Sequence, residues 1–234
     1  MRFSIVIPAY NEAEILPKTL LSLRRLGTPK KDYEVIVVDN NSKDATSEVS
    51  KKLGARAIFE ATPGTNFARE AGRKAAQGEI IVFLDSDCEP PIDWLSRIEA
   101  DLSLPGVAAV SGPYDYGFRG FLGFVGNFYE RFILVIAPKL LRILFWKKAG
   151  VLIGGNFAGR RETFEKIGGL PPLKFYGDDA AIAMLVARRA GKVLFDPDLK
   201  VKSSPRRFET QGLFKTNLKY ISTYLKIYFD KKFR

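Results

Sequence analysis

Four apolar runs of strand length, separated by segments with helical periodicity, constrain the fold of this chain more than any other feature. The runs cover residues 3–8, 34–38, 55–59 and 80–84. Helical patterns lie between them, through Leu16, Leu20 and Leu23, then over residues 44–53 and 66–77. Parallel strands need crossover connections, and near-continuous apolar strands must be buried on both faces. The sequence therefore predicts an α/β domain with a mostly parallel central sheet and helices on both faces.

Polar and acidic residues follow three of these runs at the point where each strand ends. Tyr10 and Glu12 follow the first run, Asp39 follows the second, and Asp85 and Asp87 follow the fourth. Ligands of open parallel sheets bind at the carboxyl ends of the strands. We therefore expect these side chains to line one edge of the sheet, although Asp39 also suits an ordinary turn or helix cap.

The Asp85-Ser86-Asp87 segment has the spacing of a metal-binding motif. Residues i and i+2 of an extended chain face the same side, so both carboxylates can face one hard cation such as Mg²⁺ or Mn²⁺. Such a cation would hold a diphosphate. Asp is also common where a strand gives way to a loop, and this alternative requires no ligand.

Six ordered blocks carry a resemblance to a known enzyme family. They are residues 4–12, 37–46, 68–87, 154–161, 167–170 and 177–179. Together they resemble family 2 of the inverting nucleotide-sugar glycosyltransferases, which have the GT-A fold, and the resemblance covers residues 3–195. It implies transfer of a sugar from a nucleoside-diphosphate sugar to an acceptor.

The resemblance implies a nucleotide-binding set in the amino-terminal half. That set is Pro8, Ala9, Tyr10, Glu12, Asp39, Arg69 and Asp85. A carboxylate can accept a hydrogen bond from a base N–H or a ribose hydroxyl, and a guanidinium can bind phosphate. For Arg69, a solvated position on its helix is the alternative.

The resemblance also implies a metal site and a general base. Asp87 is the expected direct ligand of Mn²⁺ or Mg²⁺, together with Asp85, and the ion would stabilise the departing diphosphate as a Lewis acid. Asp179 is the expected base that accepts the proton of the acceptor hydroxyl, with Asp178 in reserve. Both acids precede a helical segment, so capping of that helix is the alternative role.

Two further segments belong to the implied site. Gly154, Gly155 and Asn156 would let the backbone approach the donor sugar or the acceptor, unless they form a plain turn. Many relatives carry a histidine near the position of Ser203, but this chain has no histidine. Arg206 and Arg207 are expected to contact the diphosphate instead, or to belong to a basic surface.

Composition divides the chain into a catalytic domain and a basic tail. A length of 234 residues with 46% hydrophobic residues fits one sizeable domain, placed at residues 1–199. The tail, residues 200–234, carries ten Lys and Arg against two acids, so it supplies +8 of the net charge of +11. The single cysteine, Cys88, and the lack of a visible signal peptide lead us to expect a cytoplasmic location.

An amphipathic insertion at residues 118–148 and the tail suggest a membrane surface. Charged residues interrupt the insertion, so interfacial helices are expected rather than a membrane span, with internal packing or a homodimer as the alternative. We expect peripheral association with the inner face of the cell membrane and a glycan or lipid-linked acceptor. A polyprenyl phosphate acceptor would need no general base.

Two other classes of protein fit the sequence less well. The positive charge suits a nucleic-acid-binding protein, but no zinc-finger spacing or RNA-binding signature accompanies it. A dinucleotide-dependent oxidoreductase shares the alternating pattern, yet a Pro-Ala-Tyr-Asn-Glu segment follows the first strand in place of a glycine-rich phosphate loop. The sequence therefore favours a metal-dependent inverting glycosyltransferase that does not bind nucleic acid.

Overall fold

The computed structural model describes residues 1–117, 148–173, 177–204 and 222–230, and single positions at 136, 139, 140, 143 and 232. Arg206, Arg207 and most of the predicted insertion at 118–148 lie outside the described residues. The chain folds as the predicted α/β domain.

Strands and helices alternate through the first half of the chain as predicted. The strands are β1 (Phe3–Ala9), β2 (Tyr33–Asp39), β3 (Arg56–Phe59) and β4 (Ile80–Leu84). The helices are α1 (Leu16–Leu23), α2 (Thr46–Lys52) and α3 (Thr65–Ala75), and a short 3₁₀ turn lies at Lys30–Asp32. Helix α2 begins two residues later than predicted, because the Asp44 carboxylate instead accepts a hydrogen bond from the Thr46 N–H at 3.1 Å.

Within the described residues, the second half of the chain adds six strands and four helices, among them the elements that carry Gly154–Asn156, Asp178 and Asp179. The strands are β5 (Cys88–Glu89), β6 (Val107–Ser111), β7 (Tyr114–Asp115), β8 (Asn156–Arg160), β9 (Lys192–Phe195) and β10 (Val201–Ser203). The helices are α4 (Trp94–Ser103), α5 (Arg161–Lys166) and α6 (Asp178–Arg189). A final helix, α7, covers residues 222–229.

The central sheet has seven strands in the order β3-β2-β1-β4-β8-β6-β9. The first four are parallel, β8 runs antiparallel between β4 and β6, and β6 is parallel to β9. A small second sheet, β5-β10-β7, lies beside the carboxyl end of β4. The ends of β1, β2 and β4 therefore meet at one edge, as expected for Tyr10, Asp39 and Asp85.

Two apolar clusters cover the two faces of this sheet. One contains Phe83, Phe157 and Phe164 and the helix α6, and the rings of Phe83 and Phe157 stack with centroids 4.5 Å apart. The other contains Trp94 and the remaining faces of β1 and β4. Burial on both faces explains why the parallel strands are continuous apolar runs.

Helices α3 and α7 both pack into the first of these clusters. Gly72 lets α3 approach the sheet, because a Cβ at this position would overlap the side chain of Val6. In α7, Ile227 and Tyr228 are buried against α6. Among the described helices, none is long and apolar enough to cross a membrane.

Candidate active site

The loops after β1 and β2 are tied together by hydrogen bonds and form one wall. The N–H of Asn11 donates to Ser42 Oγ at 3.0 Å, and the N–H of Lys43 donates to Asn11 Oδ1 at 2.7 Å. The N–H of Glu12 donates to Thr46 Oγ1 at 2.9 Å. These bonds fix the two loops relative to each other, and we name the surface formed by residues 8–12 and 39–43 the β1–β2 loop wall.

Asp39 and Tyr10 offer two different contact types on the β1–β2 loop wall. Asp39 is 8% exposed, pairs in register with Ala9, and accepts a hydrogen bond from the Ser42 N–H at 2.9 Å. Tyr10 is 55% exposed. The wall therefore combines a positioned carboxylate acceptor with an accessible aromatic ring.

Asn40 connects this wall to helix α3. Its amide nitrogen donates to the carbonyl oxygens of Glu60 and Thr62 at 3.0 and 2.7 Å. Its amide oxygen accepts a hydrogen bond at 2.8 Å from the N–H of Gly64, the residue that precedes α3. The start of α3, and with it the position of Arg69, is thereby fixed by the end of β2.

Arg69 joins two carboxylates from distant parts of the chain. Its terminal nitrogens donate to Asp85 Oδ1 at 3.0 Å and to Asp178 Oδ2 at 2.7 Å, and the residue is only 3% exposed. Burial lowers the pKa of Arg69, but the charges of Asp85 and Asp178 outweigh it and hold the pKa above its ordinary value. Burial excludes the solvated helix arginine that the sequence left open.

Tyr114 holds the other oxygen of Asp85, a role that the sequence did not reveal. Its hydroxyl donates to Asp85 Oδ2 at 2.7 Å and accepts a hydrogen bond from the Gly155 N–H at 2.8 Å. Burial and the charge of Asp85 raise the pKa of Tyr114 well above its usual value. The signal available in the sequence was its place just after the apolar run Val107–Ser111.

The Gly154-Gly155-Asn156 segment packs against this network. A Cβ on Gly154 would lie 3.0 Å from the guanidinium of Arg69, and a Cβ on Gly155 would overlap the Asp85 carboxyl group. The Asn156 amide accepts from Trp94 Nε1 at 3.0 Å and donates to the Leu199 carbonyl at 2.7 Å. The glycines are therefore needed for close packing around Arg69 and Asp85, and Asn156 joins the strands behind them.

Asp178 and Asp179 are the first two residues of helix α6, after Gly177 in a left-handed conformation with φ of 86°. Asp179 Oδ1 accepts a hydrogen bond from the Ala180 N–H at 2.8 Å. Burial, reinforced by the charge of Asp178, raises the pKa of Asp179 to about 7, while Arg69 opposes this shift. Asp178 is thus the partner of Arg69, and Asp179 is a carboxyl group that exchanges a proton near neutral pH.

Asp87 lies between the main sheet and the small sheet. The Cys88 thiol approaches Asp87 Oδ1 at 3.7 Å, and strand pairing places Ser203 opposite Cys88. Burial raises the pKa of the Cys88 thiol strongly, so it stays protonated. The β10 segment, in which the sequence resemblance led us to expect a histidine, thus lies beside the Asp85-Ser86-Asp87 motif.

The donor set suits a hard cation that takes most of its ligands from a substrate. Within the described part of the chain, no group of three or more His, Cys, Asp and Glu gathers around one point. Mg²⁺ and related ions commonly bind through one or two carboxylates, substrate phosphates and water. Asp85 and Asp87 satisfy that requirement for oxygen ligands.

The carboxyl edge of the parallel strands thus carries the β1–β2 loop wall, the Asp85-Ser86-Asp87 segment and the Asp178–Asp179 pair, at the place where ligands of open α/β sheets bind. The sequence profile of Glycosyl transferase family 2 matches residues 4–168. The chain belongs to this family.

Individual relatives agree with this assignment. Glycosyltransferase AglE of Haloferax volcanii is 31% identical over 182 residues, which are 75% of this chain and 58% of that protein. Glucosyl-3-phosphoglycerate synthase of Petrotoga mobilis is 25% identical over 86% of this chain and 66% of its own length. The chain thus spans less than two thirds of the length of either relative.

Solved structures show the same fold. The mannosyltransferase PcManGT from Pyrobaculum calidifontis, in complex with GDP-Man and Mn²⁺, superimposes with a TM-score of 0.76 at 23% identity, over 96% of this chain and 63% of that one. A glucosyl-3-phosphoglycerate synthase from Mycobacterium tuberculosis, in complex with Mn²⁺, UDP-Glc and phosphoglyceric acid, gives a TM-score of 0.64 at 24% identity, over 97% and 79% of the two chains.

Replacement of Arg69 by Met should destabilise the fold, because two carboxylates would lose their buried partner. We expect the free energy of unfolding to fall by about 3–5 kcal/mol. Arg69→Lys should give a smaller loss, since an ammonium group keeps the charge but not the two-pronged geometry. Urea unfolding measures both changes.

Arg56→Met is the matched control, because Arg56 is half exposed and lies 3.6 Å from Glu34. Its effect should stay within about 1 kcal/mol. Equal losses for Arg56→Met and Arg69→Met would show that the Arg69 ion pairs contribute no more than a surface pair.

Proposed function

We propose that this protein transfers a sugar from a nucleoside-diphosphate sugar to an acceptor, with inversion at the anomeric carbon. The observation that carries this proposal is the buried ion-pair bridge Asp85–Arg69–Asp178. It joins the aspartate motif after β4 to the start of α6, where Asp179 lies. Family membership and the nucleotide sugars bound by PcManGT and by the Mycobacterium tuberculosis synthase support the same reaction class.

The nucleoside would bind along the wall formed by the β1 and β2 loops. Tyr10 offers an exposed ring for stacking, and the Asp39 carboxylate can accept a hydrogen bond from a base N–H or a ribose hydroxyl. The backbone of Pro8 and Ala9 and the side chain of Glu12 complete this surface. Arg69 is 3% exposed and donates from each terminal nitrogen to a carboxylate, so we propose that it acts on the nucleotide through Asp85.

Asp87, together with Asp85, would hold a divalent cation, Mn²⁺ or Mg²⁺. Such an ion supplies Lewis-acid stabilisation of the negative charge that develops on a departing diphosphate. Tyr114 and Arg69 each hold one oxygen of Asp85, so this residue is fixed before substrate binds. Asp87 is therefore the proposed direct ligand of the metal ion.

A panel of nucleoside-diphosphate sugars, assayed with Mn²⁺, with Mg²⁺ and with EDTA, tests this assignment. We expect transfer with one donor, loss of transfer in EDTA, and a fall in kcat of about 100-fold or more in Asp87→Asn. Glu165→Gln, an exposed carboxylate on α5, should match the wild type. Full activity in EDTA, or in Asp87→Asn, would contradict the metal role.

Asp179 is the proposed general base. The acceptor hydroxyl oxygen forms a bond to the anomeric carbon, its proton passes to the Asp179 carboxylate, and the bond from that carbon to the diphosphate oxygen breaks. Only the ionised form of Asp179 can accept the proton. Because burial raises the pKa of Asp179 to about 7, this form becomes dominant only above neutral pH.

The rate of transfer to a hydroxyl acceptor should therefore rise with pH and level off above about pH 7. Asp179→Asn should lower kcat by about 100-fold or more and remove this pH dependence. Initial rates from pH 5.5 to 9 measure both effects. A nearly unchanged rate in Asp179→Asn would indicate an acceptor that is already anionic, such as a polyprenyl phosphate.

The proposed acceptor is a glycan or a lipid-linked molecule, met at a membrane surface. Apolar side chains at helical spacing are exposed, namely Leu225 and Phe229 on α7, which are 40% and 47% exposed, and Ile136, Leu140 and Ile143. Residues 200–234, which include the first pair, carry ten Lys and Arg against two acids. Exposed apolar residues within a basic segment of the chain support binding to anionic lipid at the cytoplasmic face.

Replacement of both Leu225 and Phe229 by Ser should weaken binding to vesicles that contain anionic lipid, as measured by flotation, while leaving transfer to a soluble acceptor unchanged. Vesicles of neutral lipid serve as the control for charge. If the double variant floats like the wild type, these side chains do not contact lipid. A mass change in light scattering would then assign them to a homodimer interface.

A further inference from the structure

Helix α7 lies far along the chain from the residues of the candidate active site, yet it contacts the turn that begins α6. The turn is formed by Gly177, whose φ of 86° is the left-handed conformation that glycine adopts most readily. A Cβ on Gly177 would lie 2.7 Å from Thr223 Cγ2 and 2.5 Å from Ile227 Cδ1. The methyl groups of Thr223 and Ile227, which are one helical turn apart, therefore pack against Gly177, the residue directly before Asp178 and Asp179.

A second contact from the same helix reaches the other segment that enters the site. The Tyr224 hydroxyl donates to the carbonyl oxygen of Gly150 at 2.9 Å. Gly150 lies four residues before Gly154, which packs on the guanidinium of Arg69. One face of α7 thus fixes both the start of α6 and the approach to the glycine segment.

Helix α7 is packed tightly against α6 and can therefore fix the positions of the residues that it contacts. Tyr228 is fully buried, and Ile227 is buried beside it in the cluster that contains α6. Near the other end of α6, Arg188 donates to the Tyr228 carbonyl at 2.9 Å, and its guanidinium carbon lies 5.5 Å from the centre of the Tyr228 ring. Helix α7 is therefore held along the length of α6 and not only at the turn.

We propose that Thr223, Tyr224 and Ile227 are positioning residues that hold the acid pair at the start of α6 in its reactive place. This inference rests on the proposed sugar transfer. Helix α7 would then affect the rate of the chemical step through its contacts with Gly177 and Gly150. It would do so without contacting the substrate. Small errors in the placement of a catalytic group reduce rate far more than they reduce substrate binding.

Small substitutions at Thr223 and Ile227 test the contact at Gly177. Thr223→Ser removes the methyl group and keeps the hydroxyl, whereas Thr223→Val keeps the methyl group and removes the hydroxyl. Ile227→Val removes only the Cδ1 carbon nearest to Gly177. We expect the Thr223→Ser/Ile227→Val double variant to lower kcat by about tenfold, with the KM for the donor unchanged within about twofold.

Thr223→Val should keep the kcat of the wild type, because the contacting methyl group remains. Tyr224→Phe, which removes only the hydrogen bond to Gly150, should also lower kcat with little change in donor KM. Hydrogen exchange of the amides of residues 177–181, followed by mass spectrometry, should be faster in the double variant and unchanged in Thr223→Val.

Three outcomes would overturn the inference. They are a wild-type kcat in the double variant, an equal loss in Thr223→Val and Thr223→Ser, and a fall in donor affinity as large as the fall in kcat. A fall in donor affinity of that size would show that the variant disturbs the whole site and not only the acid pair. If the wild type transfers no sugar from any donor, the proposed function fails and the inference fails with it, which separates that case from the other three.

Discussion

The ion pairs of Arg69 are the interaction on which the rest of the site depends. A guanidinium keeps its charge even when the residue is 3% exposed, so without its two carboxylate partners Arg69 would be an unpaired buried charge that destabilises the fold. Asp85 and Asp178 are therefore held where Arg69 requires them, and Gly155 leaves room for this arrangement, because a Cβ there would overlap the Asp85 carboxyl group. The bridge also places Asp179 in surroundings where burial and a neighbouring negative charge favour its neutral form. The same interaction thus contributes to fold, site geometry and proton affinity.

Much of the fold and the identity of the edge residues could be predicted from the sequence, because both follow from local patterns. Continuous apolar runs such as Ile80–Leu84 occur where both faces of a parallel strand are buried, and the residue after each run must lie at the carboxyl edge. These patterns predict that Tyr10, Asp39 and Asp85 lie at one edge of the sheet. Helix boundaries were less certain, since side-chain hydrogen bonds such as that from the Thr46 N–H to Asp44 decide them.

The remainder of the site could not be predicted because it depends on contacts between residues distant in sequence. Arg69 and Asp178 are 109 positions apart, and nothing in the spacing of either residue indicates the other. Tyr114 follows an apolar run as the acidic residues do, but its hydroxyl becomes relevant only when β6 and β8 bring it to Asp85. The packing of α7 on Gly177 is similarly invisible in the amphipathic pattern of residues 222–229, which also suits a membrane surface.

Strand β8 has a consequence for how the molecule is assembled as it is synthesised. It lies between β4 and β6, although it follows β6 by 45 residues or more, as the pairing of Ser111 with Phe157 shows. The four parallel strands can pair once Leu84 has left the ribosome, whereas β6 has neither of its partner strands until Asn156–Arg160 has been made. Long-range pairing of this kind slows folding. A nascent chain would therefore complete its amino-terminal half early and wait for one late antiparallel strand to join the two halves.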